Sequence, residues 1–388
     1  SEGCGKEITT LCEIGVKKVL QIIPTLDLGG TEAFVMNHYR MLDRHRMQFD
    51  FLVFSERNWP YLEEIHQLGG RVFFAPRPTL LHTLRFYKHF RNILKLGGPY
   101  EAIHCHGDAG NAVPLLCGML CKISSRISHA HCIAQPPQHW HRRLAFQFRQ
   151  ELIRRTATKF LACSNPAGEA LYGAQFFRQR GAVIKNGIRV ESFVQPELHK
   201  VEGLKKAFGI PEGTPLVMGN ISRFDANKNQ LFALAVFRHI LRKIPNALLL
   251  LGGIDGGCLA KVQEAVVHYG LENQVLFLGQ RTDVAECLHL MDVYLFPSRK
   301  EGFGMALLEA QAAGCLCFAS TGVPAASDMG LGNVSYLSLS LGAAYWAEAV
   351  CRGLENRTIP TPDEIRNAFA EKGFDVRKSI EELAARYE

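Results

Sequence analysis

Short apolar runs alternate with segments whose apolar residues recur every three or four positions, almost from one end of the chain to the other. In the first half the pattern predicts a buried strand over 16–24 that stops at Pro24, then a helix over 31–41. Strands follow over 49–54, 71–75, 102–106 and 126–131, with helices over 61–68, 83–96 and 111–121 between them. A linker-like stretch, 194–214, has Pro196 and Pro211 inside it and Pro215 beside it. The pattern then restarts. Strands are predicted over 215–222, 247–251, 274–278, 293–297 and 315–320, and helices over 231–243, 259–269, 284–290 and 305–313, the last closed by Gly314. Strands alternating with helices at this pace imply parallel βαβ units. Two such series imply an α/β protein of two doubly wound, Rossmann-like domains, with ligands expected in a cleft at the carboxyl ends of the strands.

Composition narrows the class. Hydrophobic residues make up 47% and charged residues 21% of 388, as in a globular chain of about two domains. No apolar run reaches the ~18–20 residues a spanning helix needs. Residues 1–13 lack the apolar core of a signal peptide, so a cytoplasmic protein is expected. Twelve cysteines without a CxxC pair predict reduced, mostly buried thiols. The net charge of +7 is uneven. Residues 1–187 hold 24 Lys and Arg against 14 Asp and Glu, whereas 188–388 hold 20 against 23. The basic half is expected to face something anionic.

Five motifs carry candidate chemistry. Gly29-Gly30-Thr31-Glu32 follows the first strand; paired glycines either make an ordinary tight turn or let backbone N–H groups approach an anion. It is not GxGxxG, so the dinucleotide fingerprint is absent. Arg223 and Lys228 follow the strand at 215–222 and either grip one pyrophosphate or lie solvated on the surface. In the third motif a strand end, the loop Glu301-Gly302-Phe303-Gly304 and a helix carrying Glu309 suit a phosphate or a sugar hydroxyl. Glu309 lies among apolar and small neighbours, and a buried carboxylate needs partners, which ribose hydroxyls would supply. A glycosidase carboxylate pair is the competing reading of Glu301 and Glu309. His104, His106, His129 and His131 sit at two strand ends, with His129 and His131 on one face by alternation. They are core or rim histidines, or functional ones; with no carboxylate companion a zinc site is weakly indicated. Finally, Leu144, Phe148 and Leu152 with Arg142, Arg143, Arg149, Arg154 and Arg155 form an amphipathic basic helix, and 82–95 is similar. Such a face rests on anionic lipid headgroups or is simply solvated.

Together these residues resemble a retaining glycosyltransferase of family 4, with the GT-B fold, and most nearly the bacterial exopolysaccharide and capsule enzymes. The resemblance spans nearly the whole chain. It rests on the glycine turn, Asn186-Gly187-Ile188, the Arg-x4-Lys of Arg223 and Lys228, Arg281-Thr282-Asp283, and the E-x7-E of Glu301 and Glu309. It implies an acceptor-side domain, 1–187 joined by the tail 366–388, and a nucleotide-sugar domain, 188–365. It implies that Arg223 and Lys228 hold the donor diphosphate and that Glu309 binds the ribose. Glu301 and the backbone of Gly302, Phe303 and Gly304 would meet the transferred sugar, the backbone near Arg281 the base, and Gly29 and Gly30 the phosphate and acceptor. His131 matches the family's histidine at the sugar's 6-position. Relatives carry a polar residue after it where this chain has Cys132, so His129 stays a candidate too.

The implied reaction moves a hexose or N-acetylhexosamine from a nucleotide diphosphate sugar, UDP favoured by family habit, to a hydroxyl, with retention at the anomeric carbon. The acceptor would be a glycan, a polyprenyl-diphosphate-linked glycan or a soluble small molecule. No cofactor is expected, and with no Asp-x-Asp tripeptide a divalent metal is not needed. The enzyme would be cytoplasmic, possible membrane contact being through the basic N-terminal domain. The alternatives are a GT-B UDP-sugar epimerase, a disaccharide phosphorylase, or a non-enzymatic basic binding module, although no nucleic-acid motif occurs.

Overall fold

The computed structural model describes residues 15–27, 29–133 and 137–387. The stretch 1–13, read above for a leader, and Leu28, beside the glycine turn, lie outside the described residues. The chain divides into two compact units, residues 1–187 with 376–388, and residues 188–375.

The first unit is built on seven parallel strands: β1 (Lys17–Ile22), β2 (Met47–Val53), β3 (Val72–Phe74), β4 (Ala102–Cys105), β5 (Ser125–Ala130), β6 (Lys159–Ala162) and β7 (Gly181–Val183). Their order in the sheet is β3-β2-β1-β4-β5-β6-β7. Alternate residues of each strand enter different cores, which is why the strands read as nearly continuous apolar runs. Leu20, Ile22, Leu52 and Ile103 pack on one face. Val19, Phe49, Phe51 and Ile127 pack on the other. Register is fixed at the centre, where Val19 pairs with Phe49 on one side and Ala102 on the other. The helix Val376–Tyr387 closes this second face with Ile380, Leu383 and Tyr387.

The second unit repeats the plan with β8 (Val217–Ile221), β9 (Leu248–Gly252), β10 (Val275–Gly279), β11 (Val293–Phe296), β12 (Leu316–Ser320) and β13 (Val334–Leu337). Their order is β10-β9-β8-β11-β12-β13, all parallel. In each sheet the chain steps outward one way and then returns to the other side of its first strand. The switch falls between β1 and β4 and between β8 and β11. Loops leaving the two strands at a switch diverge and open a crevice between them. The glycine turn and His106 follow β1 and β4; Arg223 to Lys228 and Glu301 follow β8 and β11.

Three strands and several helices were not foreseen from the pattern. β6 and β7 are four and three residues long, and every residue of β13 is only half-buried. The helix Leu198–Ala207 occupies the predicted linker; none of its residues is fully buried, and only Leu204 on it, with Phe208 just beyond, packs against the core. The helix Pro362–Glu371, begun by a Thr361–Glu364 capping box, buries Ile365 and Phe369 in the second unit. The crossing to the first unit therefore comes at Val376, ten residues later than expected.

Candidate active site

In the second unit the loop after β8 is bent by Asp225, whose Oδ1 accepts from the backbone N–H groups of Asn227 and Lys228 at 2.9 Å each. Asn229 follows with φ +60° and opens the helix Gln230–Leu241. That bend sends Lys228 across to the loop after β11, where its Nζ lies 2.5 Å from Glu301 Oε1. The ammonium also stands over the Phe296 ring, 5.2 Å from its centre. Only 19% of the Lys228 side chain and 11% of the Glu301 side chain are exposed, so this lysine is not a freely solvated cation. Arg223 is the outer member, 60% exposed, with Nε 3.4 Å from Asp225 Oδ2.

The two loops are stitched together by a residue that spacing alone did not single out. Asn227 donates from Nδ2 to the Lys300 carbonyl at 2.7 Å, and its Oδ1 accepts from the Lys300 N–H at 3.0 Å. Its own carbonyl accepts from the Arg299 N–H at 2.7 Å. Asparagine in place of a longer or charged residue suits this double exchange with a backbone. On the far side the Glu301 N–H donates to the Gly322 carbonyl at 3.0 Å. A Cβ on Gly322 would stand 2.2 Å from the Arg299 carbonyl oxygen, so only glycine fits there.

Gly302 faces open space, and Phe303 stacks on Phe374 with ring centres 4.9 Å apart. Gly304, at φ +99°, turns the chain into the helix Met305–Ala312. The first N–H groups of that helix have no carbonyl a turn earlier and suit an anion or hydroxyl. Glu309 is half-buried on the same helix, beside buried Leu308 and Ala310. Burial pushes its carboxyl up to about 7, and it has no hydrogen-bond or ion-pair partner among the described residues. Glu301 and Glu309 are thus dissimilar: one is tied to a lysine and the other is bare. Arg281 is turned onto Asp283, with Nε 2.7 Å from Oδ1.

In the first unit Gly29 precedes the helix Gly30–Met41. A Cβ on Gly29 would lie 2.5 Å from Glu32 Oε2, so this glycine makes room for a buried carboxylate that also accepts from Thr25 Oγ1. Gly30 has open space around it. The strand-end histidines gather into one cluster. His129 and His131 are stacked, 4.2 Å between ring centres, as alternation implied. His131 Nε2 lies 2.8 Å from His106 Nδ1, and His129 Nδ1 lies 3.1 Å from His104 Nε2. His129 is fully buried, whereas His131 is half-buried, its N–H donating to Asp108 Oδ1 at 2.8 Å. Burial pushes the His131 imidazole down to about 3 and holds His104, His106 and His129 well below the usual range, so all four are neutral. His104, His106 and His129 offer nitrogens within 4.8 Å of one another, close enough to collect round a metal ion. Both nitrogens of His104 and of His106 already have partners, and an ion would have to displace them.

The ten described cysteines are all free thiols. The helix Trp140–Thr156 buries only Ile153 and Thr156, leaving Trp140, Leu144 and Phe148 exposed among its arginines. No helix among the described residues is long and apolar enough to cross a membrane.

Residues 29–187 match the glycosyl transferase 4-like domain, and residues 202–356 match glycosyl transferases group 1. The chain is 33% identical to the putative glycosyltransferase EpsF of Bacillus subtilis (strain 168), over 94% of each chain. It is 22% identical to the UDP-Gal:alpha-D-GlcNAc-diphosphoundecaprenol alpha-1,3-galactosyltransferase of Escherichia coli, over 78% of each. Among solved structures, Anabaena HepE in complex with UDP superposes with a TM-score of 0.73 at 19% identity, covering 95% of this chain and 99% of that one. That likeness is one of fold, and it places the two Rossmann-like units in the GT-B class. Two successive domain matches and an identity that holds over almost the whole length make this chain a member of the group 1 glycosyltransferases with a 4-like first domain.

Proposed function

We propose that the protein transfers a hexose or N-acetylhexosamine, with retention at the anomeric carbon, from a UDP-sugar to a hydroxyl of a glycan or lipid-linked glycan in bacterial surface polysaccharide synthesis. The observation that carries this reading is the Lys228–Glu301 pair at 2.5 Å, set beside the open glycine loop and the start of the helix Met305–Ala312. A diphosphate reaching that loop meets Lys228, the outer Arg223 and the helix N–H groups. These cations and dipoles are in place before charge grows on the leaving group, which is electrostatic stabilisation of the transition state. Glu309 takes the ribose hydroxyls, a fitting task for a carboxylate with no protein partner. Glu301, tied to Lys228, orients the sugar's hydroxyls instead of attacking its anomeric carbon. No protein nucleophile is then required: the leaving phosphate oxygen takes the acceptor's proton as the acceptor attacks from the same face. The backbone by Arg281 meets the base, and His131 the sugar's 6-hydroxyl. Charge neutralisation by side chains makes the reaction independent of divalent metal. In the first unit Gly29 and Gly30 shape the approach of phosphate and acceptor, and the exposed apolar and cationic face of the helix Trp140–Thr156 rests on anionic lipid.

UDP as nucleotide and a lipid-linked glycan as acceptor are supported by the ligand of HepE and by the E. coli enzyme's substrate. The test is a panel of UDP-sugars with and without undecaprenyl-diphosphate glycans, read as UDP release and as the anomeric configuration of the product by NMR. Release that rises with acceptor, giving a retained configuration in the presence of EDTA, is expected. An inverted product or an EDTA-abolished rate would overturn the mechanism. Conversion of donor without acceptor would indicate an epimerase, and phosphate-dependent exchange a phosphorylase.

A further inference from the structure

Ten imidazole nitrogens of five histidines lie under the turn after β1, and eight of them have hydrogen-bond partners. A neutral imidazole donates from one nitrogen and accepts at the other, so each bond dictates the next. Two groups that are not histidines start the sequence. Gln21, on β1 and buried, donates from Nε2 to Tyr387 Oη at 3.1 Å and turns its Oε1 toward His106 Nε2 at 2.9 Å. Tyr387, also buried, places its hydroxyl 2.7 Å from His104 Nδ1.

An amide oxygen only accepts, so His106 must carry its hydrogen on Nε2. Its Nδ1 is then an acceptor, and the bond to His131 must be donated by His131 Nε2. The second arm runs the same way. Tyr387 accepts from Gln21 and so gives its own hydrogen to His104 Nδ1. His104 Nε2 donates to His129 Nδ1, which leaves the hydrogen of His129 on Nε2. His131 Nδ1 ends the first arm, buried and without a hydrogen-bond partner among the described residues.

We propose that Gln21 and Tyr387 are positioning residues that polarise a buried histidine relay, and that the Gln21 arm presents His131 with its hydrogen on Nε2 and a bare Nδ1. The consequence for catalysis rests on the reading of His131 given above. A bare Nδ1 accepts from a hydroxyl, so it fixes the direction of the hydrogen bond that a donor sugar's 6-hydroxyl makes. The relay also holds the ring without any charged group, since among the described residues no carboxylate partners any of the four histidine rings in it. His38 stands beside the relay but outside it. Its Nδ1 is 2.7 Å from the Phe34 carbonyl, which can only accept, so its hydrogen is on Nδ1.

The test is a long-range ¹H–¹⁵N spectrum of the full chain labelled at histidine ring nitrogens, assigned by single histidine replacements. Expected are four Nε2–H rings, His104, His106, His129 and His131, and one Nδ1–H ring, His38. The opposite setting of the Gln21 amide would put the hydrogen on Nδ1 in all five, and that result overturns the proposal. Gln21→Met is expected to mix the tautomers of His106 and His131 and, because Gln21 also orients the Tyr387 hydroxyl, those of His104 and His129, whereas Tyr387→Phe is expected to mix those of His104 and His129 and leave His106 and His131 as they are. An unchanged His131 signal in Gln21→Met overturns the positioning role, and the wild-type spectrum alone still decides the tautomer if a variant does not fold. The reading of His131 fails separately: a His131→Ala enzyme at full turnover would remove its catalytic use and leave the spectrum as it is.

Discussion

In the proposed mechanism Lys228 has two duties, charge at the leaving group and partner to Glu301, and its substitutions report on both. Lys228→Ala is expected to lower kcat by about 10²–10³-fold, the usual cost of one preorganised charge at a developing anion. It also strands the largely buried Glu301, so thermal unfolding should show a loss of about 1–3 kcal/mol. Lys228→Arg, which keeps the charge, should recover most of the stability and part of the rate. Full turnover in Lys228→Ala would contradict the assignment. Glu309 is expected to behave in the opposite sense. Its folded value of about 7 lies above the ordinary 4.5, so the folded protein holds this proton longer than the unfolded chain. Stability contributed by the neutral form is present below about 4.5 and is lost as pH rises through about 7. Glu309→Gln should therefore stabilise the protein above pH 7, by up to about 3 kcal/mol, while weakening UDP affinity. Calorimetry at pH 5 and pH 8, with a UDP titration, checks both signs.

At the scale of elements, the loops after β8 and β11 work as one part because Asn227 bonds to the backbones of Arg299 and Lys300. Asn227→Ala should lower kcat through displacement of Lys228 and Glu301, with UDP affinity falling less. Gly322→Ala should do the same from the other side; an unaltered rate in both variants would show that the loops are placed independently. The spacings Arg-x4-Lys and E-x7-E were legible beforehand, as was the pairing of His129 with His131, because each depends on neighbours a few positions apart. Asn227 lay inside a quoted motif, yet its bonds to Lys300 span 73 positions and no local pattern encodes them. The same holds for β6, β7 and β13, too short or too shallowly buried to show a period. The helix Trp140–Thr156 was legible as a helix, and its Leu144 and Phe148 are exposed. Replacing both by Ser should reduce flotation with anionic vesicles and leave turnover on a soluble acceptor unchanged.

Over the whole molecule, acid should act on the two units unequally. The first unit holds a cluster of five histidines, His38 pushed down to about 4 and His131 to about 3, with His104, His106 and His129 well below the ordinary 6.5. An unfolded chain binds protons at these positions near pH 6.5, whereas the folded unit does not. The stability of the neutral cluster is thus present above 6.5 and is lost progressively as pH falls from there toward the folded values, about 4 for His38 and about 3 for His131. Scanning calorimetry from pH 8 to pH 5 should show the transition of the first unit moving to lower temperature, with proton uptake approaching five, while that of the second moves less. A parallel shift of both would contradict this.

The bond between Gln21 and Tyr387 joins positions 366 residues apart, and the core on one face of the first sheet, begun by Phe34, Met36, Tyr39 and Ile65, is completed only by the helix Val376–Tyr387. A ribosome making this chain therefore exposes β1 and its partners long before their cover is complete, at an elongation rate of about 5–20 residues per second. The second unit, by contrast, is contiguous and can be finished first. Nascent molecules should spend tens of seconds with the apolar patch that Ile380, Leu383 and Tyr387 later fill open to chaperones, and a fragment ending near residue 187 should come out of cells aggregated.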